Sequence, residues 1–484
     1  MEGIEKKKSK LKRTLKARHL NMIAIGGAIG TGLFLASGTT IGTAGPGGAL
    51  LAYCFIGIMV YFLMTSLGEM ATAIPMSGSF EVYSTRFFDP ALGFALGWNF
   101  WYNWAITVAV EISASALVMK YWLPDVPSIV WSLLFVIILF SLNLMSVRAY
   151  GESEFMLASI KVLTVIIFLV VGVLVIFGVI SGKSPGFTNW VMGEAPFVGG
   201  ITSFISIFMI AGFSFQGTEF VGVAAGESEN PSRDVPKAVK AVFWRILLFY
   251  IGAIIIIGFI VPYTDPNLLK SNIESVAVSP FTIVFDKVGL AFSASVMNAV
   301  VLTAILSSGN SGVYASTRML HALAVDGKAP KFISKVNKRG VPINALCLTI
   351  GVSMICFLSS LFGDKVIYTW LVNASALTGI IAWMGIALCH YRFRKAYIAQ
   401  GRRLEELNFK AKWYPFGPIF AIVLCSSIIL GQGYNLYVEG NINWIEIFIT
   451  YLSIPIFFAL FLGYKIIRKT KMIPLEEANF EVED

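Results

Sequence analysis

Apolar residues in this chain gather into runs of about 20, long enough for a helix to cross the hydrocarbon core of a bilayer, and short polar or basic stretches separate them. The pattern predicts an all-α integral membrane protein with twelve spans, at 20–42, 47–72, 92–119, 128–147, 155–181, 199–225, 240–262, 280–315, 342–362, 367–390, 415–436 and 445–466. The eighth is long enough to tilt or to end in an interfacial turn.

Two spans break their own pattern. Ile25 to Phe34 reads Ile-Gly-Gly-Ala-Ile-Gly-Thr-Gly-Leu-Phe, four glycines in seven residues. Each costs a helix roughly 1 kcal/mol relative to Ala. In hydrocarbon, a broken helix is tolerated only where the freed N–H and C=O groups meet protein or a wet cavity. The sixth span carries a similar interruption, Phe213-Ser-Phe-Gln-Gly-Thr-Glu. Two interrupted spans five apart predict a five-plus-five inverted repeat with a midplane ligand site. The transport core then covers 20–391, with repeats at 20–181 and 199–391. A basic segment (1–19), a loop (392–414), an accessory helix pair (415–466) and a tail (467–484) surround it.

Composition agrees: 56% of the 484 residues are hydrophobic and 13% charged, about half the charge of a soluble domain. With the N-terminus inside, 30 of the 37 Lys and Arg fall in inner segments and five in outer loops, leaving Lys161 and Arg245. The positive-inside rule therefore puts both termini in the cytoplasm. It also explains the +9 net charge by lipid headgroups, without nucleic acid. No cleavable signal peptide is expected. The acidic tail from Glu476 to Asp484 reads as disordered, and Glu227 and Glu229 as solvated loop residues. The five cysteines lack paired spacing and read as core residues, and His19, His321 and His390 as interfacial ones. No nucleophile–base pair, phosphate loop or metal cluster appears at depth, so neither enzyme, metal nor cofactor is expected.

Charges inside spans are costly and mark candidate sites. Lys161 in the fifth span either snorkels to the inner interface or stands as an interior ammonium. Glu111 in the third span is expected to pair with a cation or to hold a proton. Glu219 closes the sixth-span break, as a cap, a counter-charge, or both. Glu69 reads as an interfacial or gate residue. Backbone N–H groups at Gly30, Thr31 and Gly32 form an anion cradle. Carbonyls near Ala28 and from Phe213 to Gln216, lacking helical partners, suit an ammonium. Phe213 and Phe215 wall the cavity, and Thr218 completes the set. An anion cradle beside a ring of carbonyls matches an α-amino acid zwitterion.

At these residues the chain resembles the amino acid–polyamine–organocation transporter superfamily, in its amino acid transporter branch. The resemblance runs through Ile25–Phe34, Ala44-Gly-Pro-Gly-Gly-Ala-Leu, Gly97-Trp-Asn-Phe-Trp-Tyr-Asn-Trp-Ala, Gly212-Phe-Ser-Phe-Gln-Gly-Thr-Glu, Ala225-Gly-Glu-Ser-Glu-Asn-Pro, Ser308-Gly-Asn-Ser-Gly and His390-Tyr-Arg-Phe-Arg. It implies a LeuT-like fold and alternating access. It implies proton-coupled uptake, with the carboxylate at Gly30, Thr31 and Gly32 and the α-amino group at the carbonyls of Ala28, Phe213 and Gln216. Lys161 matches the fifth-helix lysine whose ammonium replaces a sodium ion in sodium-independent relatives. Gln216-Gly-Thr-Glu is the variant of cationic amino acid permeases, which makes L-lysine and protons the expected partners. Alternatives are a permease also taking arginine, ornithine or histidine, an exchanger of lysine for its amine, and a nutrient sensor.

Overall fold

The apolar runs fold as helices, and no strand occurs among the described residues. The computed structural model describes residues 17–26, 29–76, 78–145, 147–180, 182–226, 228–266, 268, 279–287, 289, 292–434 and 444–481. The helices used below are α1 (Ala17–Gly26), α2 (Ser37–Ala73), α3 (Phe80–Phe87), α4 (Pro90–Met119) and α5 (Ser128–Asn143). They continue with α6 (Val147–Ile176), α7 (Gly200–Phe215), α8 (Phe220–Ala225), α9 (Pro231–Arg245) and α10 (Gly252–Ile260). The last are α11 (Phe292–Val325), α12 (Ile343–Ser353), α13 (Asp364–Ala399), α14 (Phe416–Gly431) and α15 (Ser453–Arg468). Eight helical runs among the described residues are long and apolar enough to cross a membrane, and α5 and α14 are shorter apolar helices.

One run, Gly32–Ala73, at 42 residues covers the second half of the expected first span and the whole of the second. Its helical geometry fails at Gly45, where φ is +75°, just before Pro46. A Cβ at Gly45 would lie 2.6 Å from the carbonyl oxygen of Pro196. The N–H groups of Gly47 and Gly48 donate to that same oxygen. This corner is the expected boundary between spans one and two.

The boundaries of three spans are corrected, the fifth starting at Val147 rather than 155. The eighth span runs over Phe292–Val325 rather than 280–315, because Pro280–Lys287 is a separate short helix. Gly289, at φ +77°, follows that helix, and Phe281 packs against Phe34 and Phe168. The seventh span starts at Pro231, nine residues before the expected 240, because the proline takes the first helical position.

α4 is the most enclosed of these spans: 83% of its apolar window is buried, against 28% for α6. α11 lies close along it, since a Cβ at Gly312 would sit only 3.0 Å from Trp104. Small residues at such crossings let helices approach in lipid, where hydrophobicity alone does not join them.

The basic end of the molecule is stapled by the chain's own tail. Phe480 packs on Phe87, Phe393 and Tyr397, and Gln400 donates to the carbonyls of Leu475, Glu476 and Ala478. The N–H of Ile473 reaches the carbonyl of Phe88 at 2.8 Å. The expectation of a disordered tail from Glu476 is therefore corrected through Glu481, and 482–484 lie outside the described residues. Acidic character concealed Phe480, the apolar anchor. His19, His321 and His390, expected at the interface, are all buried within the protein, at 3% exposure or less. Glu229 is exposed as expected, and Glu227 lies outside the described residues.

Candidate functional site

The glycines of the first break stand where no side chain fits. A Cβ at Gly26 would lie 2.4 Å from the Cβ of Ala158 on α6. At Gly32 it would lie 2.4 Å from the Cα of Ser214 on α7, so the two interrupted spans touch backbone to backbone. At Gly30 it would meet Glu111 Oε1 and Ser308 Oγ, each at 2.8 Å. The bare backbone therefore approaches α6, α7 and the α4–α11 pair at once. Ala28 lies outside the described residues.

The second break joins α7 to α8 through Gly217, whose φ of +91° only glycine adopts readily. Glu219 folds back over it. Its Oε2 accepts from the N–H of Gly217 at 3.1 Å and from Trp383 Nε1 at 3.1 Å, with Thr218 Oγ1 at 3.5 Å. Gln216 turns to α13, donating from Nε2 to the carbonyls of Ser375 and Ala376 and accepting from Ser375 Oγ. Phe213 is buried, and Phe215 stacks on Tyr250 with centroids 4.2 Å apart. The expectation that carbonyls here lack partners is corrected in part. Phe213 O accepts from the N–H of Gln216, and Phe215 O from both the N–H and the hydroxyl of Thr218. A tight turn recovers bonds that a simple helix end would lose.

Glu111 approaches the first break from α4. Its Oε1 accepts from Ser308 Oγ at 2.8 Å and, at 3.4 Å, from Thr31 Oγ1. Its Oε2 is buried and has no hydrogen-bond partner. An orphan carboxylate oxygen is costly unless a cation or a proton arrives. Lys161 is 0% exposed and donates to the carbonyl of Gly26 at 2.9 Å, so its amino group lies in the protein interior rather than reaching out to solvent. Glu69, expected as an interfacial or gate residue, is fully buried and held by Arg394 on α13.

Several residues of this neighbourhood escaped the sequence reading. Glu154 on α6 is fully buried, and its Oε1 accepts from Ser307 Oγ at 2.6 Å. Asn103 accepts at Oδ1 from Ser375 and Thr378, while its Nδ2 has no partner. A signal existed: Asn99, Asn103, Thr107 and Glu111 recur every fourth residue, one polar stripe along an apolar helix. Trp383 and Tyr368, which lies beside Thr31 and Glu111, carry no comparable signal.

No described side chain of the expected set, nor Glu154, is more than 4% exposed, so these residues are shielded from solvent. Among the described residues no group of His, Cys, Asp and Glu is arranged to hold a metal ion. The arrangement offers an unpartnered carboxylate oxygen for a cation, next to bare glycine backbone.

The comparisons agree with this geometry. A family model described as "Amino acid permease" matches residues 19–475. The lysine-specific permease LysP of Escherichia coli (strain K12) is 55% identical, over 98% of this chain and 97% of that protein. LysP of Lactococcus lactis subsp. cremoris is 54% identical over 97% of this chain and 93% of its own, and histidine permease HisP of the same strain 51% over 98% and 99%. Among solved structures, a manganese transporter of Eremococcus coleocola superposes with a TM-score of 0.56 at 14% identity, covering 93% of this chain and 94% of that one, which shows a shared LeuT-type fold. The protein is a multi-pass membrane transporter rather than an enzyme, and it belongs to the amino acid permease family.

Proposed function

We propose that the protein is a secondary transporter that takes up L-lysine together with protons by alternating access, in a bacterial plasma membrane with both termini in the cytoplasm. The observation that carries the cationic substrate is Glu111 Oε2, a buried carboxylate oxygen without a partner beside Gly30 and Thr31. The substrate carboxylate lies on the N–H groups of Gly30, Thr31 and Gly32, and the α-amino group faces the ends of the broken helices near Ala28, Phe213 and Gln216. Thr218 and Phe215 close the pocket. Glu111 meets the ε-ammonium or, in the empty carrier, a proton. Glu219 is the lesser candidate for that charge, since its Oε2 already holds the turn. Lys161 carries the coupled proton where a sodium ion would otherwise stand. The inward proton adds about 2.3 kcal/mol per charge per 100 mV of membrane potential.

Support for lysine comes from the names of two relatives at 55% and 54% identity. A histidine permease at 51% favours a second reading, a wider basic amino acid permease. Uptake of labelled lysine into proteoliposomes under an imposed pH gradient separates them. Accumulation that excess unlabelled lysine abolishes, and excess arginine or histidine leaves standing, is the expected result. Equal competition by arginine or histidine makes the wider reading correct. Uptake that demands internal substrate and ignores the pH gradient makes the protein an exchanger.

A further inference from the structure

α11 lays one short polar motif, Ser307-Ser-Gly-Asn, against two buried carboxylates, and it treats them differently. Glu154 of α6 has both oxygens engaged, Oε1 by Ser307 Oγ at 2.6 Å and Oε2 by Asn310 Nδ2 at 3.5 Å. Glu111 of α4 has only Oε1 engaged, by Ser308 Oγ at 2.8 Å and Thr31 Oγ1 at 3.4 Å. Its Oε2 has no hydrogen-bond partner. One carboxylate is satisfied by its surroundings, and the other is half satisfied.

Ser308, which makes that difference, has little freedom to move. Ser307 before it is tied to Glu154, and Asn310 beyond it accepts at Oδ1 from Asn143 of α5 at 2.8 Å. At Gly309 a Cβ would lie 3.5 Å from the Cβ of Glu111 and 3.2 Å from Leu139, so α11 is seated on the stem of Glu111. The first break stands on the other side, where a Cβ at Gly30 would lie 2.8 Å from Ser308 Oγ. The hydroxyl is therefore held between the break and the carboxylate.

The number of free oxygens decides which cation fits. An alkyl ammonium is a compact point charge whose three donors rotate, and a single acceptor serves it. A guanidinium is a planar fork, and its strongest grip on a carboxylate sets two parallel N–H donors on two oxygens. With Oε1 taken, Glu111 offers the fork only one. We propose that Ser308 is a positioning residue that sets specificity: by occupying one oxygen of Glu111, it favours a primary ammonium over a guanidinium. Glu111 supplies the charge, and Ser308 sets the shape of cation that the charge accepts. Lysine and arginine carry the same charge, so charge alone does not separate them, whereas the count of free acceptors does.

This rests on the reading of Glu111 as the partner of the substrate ε-ammonium, and two sets of variants keep the two apart. Lysine and arginine are titrated into the detergent-solubilised full chain, and the rise in unfolding temperature gives a dissociation constant for each. Wild type should bind lysine more tightly. Ser308→Ala and Ser308→Gly both remove the hydroxyl and free Oε1. Each should lower the ratio of the arginine to the lysine constant at least about tenfold, the gain from one charge-assisted hydrogen bond. Ser308→Thr keeps the hydroxyl and should keep the wild-type ratio. A merely structural serine would weaken both ligands in parallel and leave the ratio where it was. An unchanged ratio in Ser308→Ala and Ser308→Gly, with lysine binding lost in Glu111→Gln, overturns the role of Ser308 and leaves Glu111 its own. Undiminished lysine binding in Glu111→Gln overturns the reading of Glu111, and the role of Ser308 with it. Wild type binding arginine as tightly as lysine also overturns the selection.

Discussion

The ammonium of Lys161 donates to the carbonyl oxygen of Gly26, 2.9 Å away, so the last residue of α1 is fastened to α6 by a single charge. Lys161→Met keeps most of the stem and removes that donor. Uptake should lose its dependence on the imposed pH gradient, whether or not residual exchange survives. An unchanged dependence would show that Lys161 only fills space.

What the sequence made legible follows from what side-chain type alone can encode. Both breaks were visible because glycine and polar residues are expensive in a lipid-buried helix. The boundary between spans one and two was visible as the gap at 43–46 between two apolar runs. Glu154 was not. A span edge drawn at 155 left it in a loop, whereas α6 begins at Val147 and carries it into the interior. Hydropathy marks where charge becomes costly and is blind to charge already compensated by Ser307 and Asn310. The tail misled for the opposite reason: five acidic residues among its last nine hid the one ring, Phe480, that docks it.

The close approach of the breaks makes Gly32 and Gly30 testable positions. Gly32→Ala places a methyl 2.4 Å from the Cα of Ser214, which cannot swing away as a side-chain end could. Overpacking of this kind costs about 1–3 kcal/mol, here concentrated where the broken helices must slide. Uptake should be abolished. Gly30→Ala meets side-chain atoms of Glu111 and Ser308, which can shift, so the loss should be smaller. Gly463→Ala on α15 has open space around it and should transport normally. Equal activity in all three would contradict the backbone contact.

Glu219 first ties down the turn between α7 and α8. Glu219→Ala leaves the N–H of Gly217 and the indole of Trp383 without their acceptor, at about 1–3 kcal/mol for each buried donor. The thermal unfolding temperature of the detergent-solubilised protein should fall clearly. Glu219→Gln retains one acceptor oxygen and should recover part of that loss, with transport still impaired. A Glu219→Ala protein as stable as wild type but inactive would leave the residue a charge role alone.

The basic end closes on an ion pair that the sequence did not pair at all. Glu69, near the end of α2, accepts from Arg394 Nε at 2.6 Å with one oxygen, and from Arg394 Nη2 and the N–H of Ala411 with the other. His390 Nε2 stands 3.3 Å from the carboxylate. Both side chains are buried, so the charges have little water to fall back on. If this end opens during transport, α2 and α13 must part here. Glu69→Gln keeps the shape and removes the charge, and an unpaired buried guanidinium costs about 3–5 kcal/mol. The closed form should therefore lose stability relative to the open one. Cys389, fully buried on α13 beside His390, reports it. In a protein whose other four cysteines are alanine, maleimide labelling from the basic side should be faster for Glu69→Gln than for Glu69. Arg394→Lys, which keeps the charge and loses the two-point grip, should fall between. Identical labelling rates in all three would mean that this pair does not hold the closed state.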